Sequence, residues 1–200
     1  MTVTYTPGLE ITPQGTLLRI EQKLPSLVGG TGPGDEGSLP TTGNAGSPQH
    51  SWTRPADTTA YTANDVVGSA TTANHHATPA GGSGSLIQIQ SAELIINVTS
   101  VPSGMAGFRL HFWDSEPTAI ADNAPHAVAA ADRIKYCGRA DLGTPAVVGG
   151  GFLCALADYV GRPIRLLEDG FYFQLQTLGG YTPASATEYR VRFHAVELGA

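Results

Sequence analysis

Three features of the sequence predict an all-β fold, an antiparallel sandwich behind an extended N-terminal arm. Several short runs alternate apolar and polar residues with period two, the pattern of a sheet with one buried face and one wetter face. Turn residues recur between these runs every ten residues or so. Charged residues make up only 14% of the 200-residue chain, against 25 glycines and 14 prolines. Long surface helices need Glu, Lys and Arg on their wet faces, so this balance favours strands and turns.

The length suits one domain with a full core, or one domain plus an arm. A formal charge of −6, with no basic cluster beyond the pair Arg190 and Arg192, excludes nucleic acid as a direct partner. No apolar run approaches the roughly 18 residues of a membrane span, so no membrane partner is expected. The opening MTVTYTPGLEITPQG has neither the cationic start nor the apolar core of a secretory signal, which points to a soluble chain made in a cytoplasm. In that compartment Cys137 and Cys154 are expected as free, mostly buried thiols, with a late disulfide left open.

Residues 1–50 are rich in Gly, Pro, Thr and Ser and bury too little apolar surface to offset the entropy of ordering, so they read as an extended arm. Thr16 to Leu24 is its one ordered piece, a short strand or a helical turn and a half. A solvated tail without a role fits the composition equally. The scattered apolar residues favour docking, and Tyr5, Leu9, Ile11, Leu17, Leu18 and Ile20 are the candidate partner-binding residues.

Residues 51–200 form the predicted sandwich domain. Trp52, Tyr61, Val66 and Val67 are its first apolar anchors, among turn signals at Asp57 and Asn64-Asp65. From Leu86 to Glu116 two strands face each other across a turn at Pro102, Ser103 and Gly104. The first carries a phase break near Ser91 and Ala92 that suggests a bulge, and the second turns Phe108, Leu110 and Phe112 inward. An Ala-rich helix is expected over His126 to Arg133. A strand over Ile134 to Asp141, weakened by Gly138, follows, then another from Phe152 to Leu156 entered through three glycines. Pro163 to Glu168 and Phe171 to Thr177 around Asp169-Gly170 read as a hairpin. Glu188 to Leu198 closes the set with Tyr189, Val191, Phe193 and Ala195 inward. Loops of unequal length make a jelly roll the expected form of the sandwich.

The block Thr53, Arg54, Pro55, Ala56, Asp57, Thr58, Thr59, Ala60, Tyr61, then Asp65, Val66, Val67 and Gly68, resembles a T-R-P-A-D-T-T-A-Y-x-x-x-D-V-V-G block in a family of virion proteins of tailed bacteriophages. Pro117, Ala121, Asp122, Asn123 and Ala124 match that family's P-x-x-x-A-D-N-A. The resemblance covers roughly residues 51–198 and leaves the arm out. It implies a structural virion protein, most simply a capsid decoration or cement protein located in the virion. Its partners would be the major capsid protein and further copies of itself, as a trimer or dimer. A tail, fibre or baseplate component is the alternative within the virion.

No catalytic, cofactor or metal residues are predicted. Asp114 and Glu116 are sequence neighbours on a turn, a poor match to the paired carboxylates of glycoside hydrolysis. His75 and His76 are read as a polar loop without metal-ligand spacing, and His111, His126 and His194 as scattered. The glycines at 149–151 lack the Lys and helix of a phosphate loop. Trp113, Tyr172 and Tyr181 on a non-core face would suit sugar stacking, which keeps a carbohydrate-binding module open. The same aromatics suit a cover for the second sheet or a subunit contact better, since aromatics are the preferred anchors of interfaces.

Overall fold

The computed structural model describes residues 45–79, 81–157 and 160–199, with the backbone of 3–4 and 10–11. The chain divides into two units, Met1–Gly43 and Asn44–Ala200. In the first, β1 (Val3–Thr4) and β2 (Glu10–Ile11) pair antiparallel with Val3 opposite Ile11.

The second unit is an antiparallel sandwich of two sheets. Its strands are β3 (Ala45–Gly46), β4 (Gln49–Thr53), β5 (Val66–Val67), β6 (His75–Ala77), β7 (Leu86–Ile96), β8 (Phe108–Trp113), β9 (Tyr136–Leu142), β10 (Ala146–Gly149), β11 (Phe152–Ala157), β12 (Arg162–Arg165), β13 (Phe171–Thr177) and β14 (Glu188–Gly199). The first sheet runs β10, β11, β7, β14, β3, with β12 sharing the β7 edge and β4 sharing the β14 edge. The second runs β5, β13, β8, β9, with β6 also on β13.

The pairing is nested. If β5 with β6 and β11 with β12 each count as one broken strand, and the short edge strands β3 and β10 are set aside, the body has eight principal strands. The first then pairs with the eighth (β4 with β14) and the second with the seventh (β5 and β6 with β13). The third pairs with the sixth (β7 with β11 and β12) and the fourth with the fifth (β8 with β9).

The alternation expected in β7 is present. Ile87, Ile89, Ala92, Leu94 and Ile96 are buried, and the phase break is a bulge where the register with β14 slips between His194 and Ala195. β14 turns Tyr189, Val191, Phe193 and Ala195 inward, as its pattern predicts. Phe193 is a meeting point of the two layers. It packs edge-to-face on Phe171 and Phe173 at 5.0 Å each and on Phe112 at 6.0 Å, a geometry that aromatic quadrupoles favour.

Three expectations are corrected. The Asp169-Gly170 turn does not close a hairpin, because β12 pairs with β7 in one sheet and β13 with β8 in the other. The expected helix over His126 to Arg133 is a single 3₁₀ turn at Ala130–Asp132. There the His126 amide donates to the Asn64 carbonyl at 2.8 Å, so the chain is held extended against the start of β5. His75 and His76 form part of strand β6 rather than a loop.

The turn before β8 depends on glycine. Gly104 has φ of +83°, and a Cβ there would collide with the Gly180 carbonyl oxygen. Gly104→Ala is therefore expected to destabilise the body by about 1–3 kcal/mol, read as a lowered urea midpoint at unchanged slope.

Candidate functional site at the motif junction

The two blocks that carry the family resemblance lie far apart in sequence and meet in space. Asp65 bridges to Pro125, Val66 donates its amide to Ala124, and Asn123 donates its amide to Val66, both at 2.9 Å. Arg54 stands at the centre of the junction. Its side chain is fully buried, and its fork donates through Nε to the Tyr61 hydroxyl at 3.3 Å and through Nη2 to Asp57 Oδ1 at 3.0 Å. Nη1 reaches the carbonyls of Pro55, Asp57 and Ala184. Asp122 Oδ2 stands 3.8 Å from Nη2.

Asp122 ties the second block to the first. Its Oδ1 accepts from the Tyr61 hydroxyl at 2.7 Å and from the Gly68 amide at 2.8 Å. Asp65 Oδ2 accepts from both the amide and the hydroxyl of Thr62. Asn123 is held at φ +60°, and the acceptors around its side-chain amide, the Ala60 carbonyl and Asp65 Oδ2 at 3.1 Å each, assign the nitrogen to that side. Short polar side chains tolerate this backbone conformation best.

The electrostatics agree with a closed network. Burial alone would lower the Arg54 pKa, but hydrogen bonds to Tyr61 and Asp57 and the charge of Asp122 reverse that, and it stays a cation. The Thr59 amide, followed by Arg54, holds Asp57 below the usual carboxylate range. Burial, then Asp122, raises the Tyr61 phenol. Tyr61 packs on Tyr181 at 5.1 Å, and the hydroxyls of Tyr181 and Tyr189 lie 3.0 Å apart, so the lock continues into the core.

Beside the junction opens a cleft of about 570 Å³ between Pro55, Asp57 and Thr59, the Ser69 to Thr72 turn, and Ala119 to Asn123. The polar atoms here serve the junction or local turns. Asp57 Oδ1 also caps the Thr59 amide at 2.9 Å, and Ser69 Oγ accepts from the amides of Thr71 and Thr72. No base stands paired with a nucleophile at this cleft. Among the described residues no group of three or more His, Cys, Asp or Glu is placed to hold a metal.

Of the aromatic residues proposed for sugar stacking, Trp113 and Tyr172 lie on the outer side of the second sheet as expected, and Tyr181 is in the core. Trp113 and Tyr181 are buried, and Tyr172 is half-buried against His76 at 4.7 Å. The chain around Asn64, Asn74 and residues 117–126 covers that outer side. Gln174 donates to Asn74 Oδ1 at 2.6 Å, and His126 stacks on His111 at 3.9 Å. His111 also bonds Tyr136 and Gln176. Two histidines read as scattered are therefore a stacked pair that pins this cover. Burial, then the neighbouring His126, pushes His111 down to about 4.

His75 lies wholly inside the core. It stacks on Trp52 at 3.9 Å and tilts against Phe173 and His50, and burial pushes it down to about 3. Adjacent histidines in a strand diverge, so His76 instead faces Asp169 at 3.4 Å. Cys137 and Cys154 are free thiols on opposite sheets, and burial pushes both up to about 11, which leaves little thiolate for nucleophilic chemistry. Asp114 accepts from the Ser115 hydroxyl, an ordinary turn contact.

Of the partner-binding residues expected in the arm, Tyr5, Leu9, Leu17, Leu18 and Ile20 lie outside the described residues. Ile11 is placed only by its backbone, in β2. The roles of Arg54, Asp122 and the His111–His126 stack were not foreseen. The resemblance had marked the first two, Arg54 in the first block and Asp122 in the second.

No family model matches the chain, and no curated protein matches it. A solved structure of a marine algae virus of the order Picornavirales aligns at 10% identity over 82% of this chain and 76% of that one. Its TM-score is 0.23, a superposition too loose to bear on fold or role.

Proposed function

We propose that this chain is a structural protein of a tailed-phage virion, a jelly-roll body that decorates and stabilises the head shell. One observation carries the reading: the residues behind the virion-family resemblance are spent on architecture. Arg54, Asp57, Tyr61, Asp65, Gly68, Asp122 and Asn123 all close one junction, and a signature of that kind suits a protein whose task is to hold others in place. The nested pairing supports the jelly-roll form, since a long hairpin of eight strands wrapped on itself pairs first with last, second with seventh and so on inward. Multivalent binding to a repeating shell turns modest contacts into a tight lock, which fits a weakly charged surface better than a deep site does. The major capsid protein is the partner in this reading, and the arm is the candidate tether.

Purified full-length chain is expected to co-sediment with emptied heads of its phage and to saturate at a fixed ratio to the shell subunit. Co-sedimentation with purified tails would move the protein to the tail, and binding to neither would overturn the reading.

A further inference from the structure

The two sheets differ in what covers them. The outer side of the second is roofed by its own chain, as the burial of His111, Trp113, Gln174 and Gln176 shows. The outer side of the first has no such roof within the body: Gln88, Glu93, Ile95, Arg190 and Arg192 are half-buried, and Leu156 and Leu198 are exposed. Leu156 shares the outer-face row of Glu93, so an exposed apolar side chain stands where cover is missing, whereas exposed Val147, opposite the buried Leu153, faces the inner side.

We propose that this open face is where a second copy of the chain stacks, face to face across a two-fold axis running along the strands between β7 and β14. The inference does not rest on the virion reading.

Charge is the first argument. The outer face carries Arg165, Arg190 and Arg192 against Glu93 and Glu188, a surplus of one positive charge in a chain whose formal charge is −6. Two copies repel through the rest of their surface, and this nearly neutral face adds little to that repulsion.

Register is the second argument. β7 and β14 place Glu93 beside Arg192 and Ile95 beside Arg190. Outside them, β11 places Leu156 in the Glu93 row and Cys154 in the Ile95 row, while β4 places Gln49 and Ser51 in the same two rows. A two-fold axis between β7 and β14 exchanges the columns. Glu93 of each copy then lies over Arg192 of the other, and the stems of Arg190 cover Ile95. Glu93 and Arg192 already lie 3.4 Å apart within one copy, so the two pairs join into one alternating four-charge cluster across the axis, as an isologous contact requires.

Size is the third. Four strands abreast at ~4.8 Å, along an eleven-residue β7 rising ~3.3 Å per residue, offer about 700 Å² per copy, close to the ~800 Å² per partner of a standard interface.

Light scattering on the full chain should give twice 20.8 kDa at about 100 µM. Glu93→Arg or Arg192→Glu, each placing like charges over one another, should weaken dimerisation at least about tenfold, and the double exchange should recover it. Both side chains lie on the outer face, and circular dichroism of each variant confirms that the body is folded. A monomer, a trimer, single variants that leave the dimer unaffected, or a double variant that fails to recover it would each overturn the proposal.

Discussion

Arg54→Leu should lower the stability of the body by about 3–5 kcal/mol, the usual consequence of removing one member of a buried charged network. The loss does not come from the ion pairs as such. Leucine fills part of the space but leaves Asp57 and Asp122 without their cation, and strips donors from the Tyr61 hydroxyl and from three carbonyls, those of Pro55, Asp57 and Ala184. Buried acceptors without donors account for most of that cost. Arg54→Lys keeps the charge without the planar fork and should recover only part of it. Urea denaturation of the three proteins decides the matter. If the leucine variant loses less than about 1 kcal/mol, the junction is an exposed contact in solution and not a lock.

Acid should unfold the body well above the pH at which its carboxylates titrate. His50, His75, His111 and His126 all have pKa values lowered from 6.5, with burial as the first cause in each. The unfolded chain therefore takes up protons first. Stability is whole above pH 6.5 and falls as pH drops from there toward the folded values, about 3 for His75 and about 4 for His111.

His75 alone should cost a few kcal/mol, on the order of 1.4 kcal/mol for each pH unit across that window. Asp57, Asp132 and Asp141 are held below the usual carboxylate range, so they add to the loss only at lower pH. His75→Phe keeps a flat ring against Trp52 and Phe173 and removes the titrating group. It should hold its stability from pH 7 to pH 4.5 better than the parent. Equal slopes for His75→Phe and the parent would show that His75 is not the acid-sensitive group.

Much of this fold is legible along the chain, and what is not has physical reasons. β7, β13 and β14 declare their inner faces because sheets alternate sides strictly, and even the bulge in β7 shows as a slipped phase. Partners are another matter. Asp169-Gly170 and Pro102 to Gly104 mark where the chain turns, but local turn chemistry does not say whether the next strand joins the same sheet or crosses to the other, and in both places it crosses. Polar Gln174 and Gln176 alternate with the inward Phe173 and Leu175, yet lie under a distant piece of chain that no periodicity announces. The Ala-rich run after Pro125 has helical propensity, and a tertiary hydrogen bond from His126 outweighs it. The junction was visible as a motif but silent as a mechanism, because its two halves say nothing about meeting.

β14 is the last strand in order and sits between β4 and β7, the first and third of the principal strands. Until residues 188–199 have left the ribosome, two earlier strands face an unfilled slot with raw edges, and the first sheet stays split between β4 and β7. Such non-local pairing places the body among slow folders, on the scale of milliseconds to seconds. Emergence of residues 188–199 is thereby what licenses this sheet to close, and a chain stopped before them is left open to proteases.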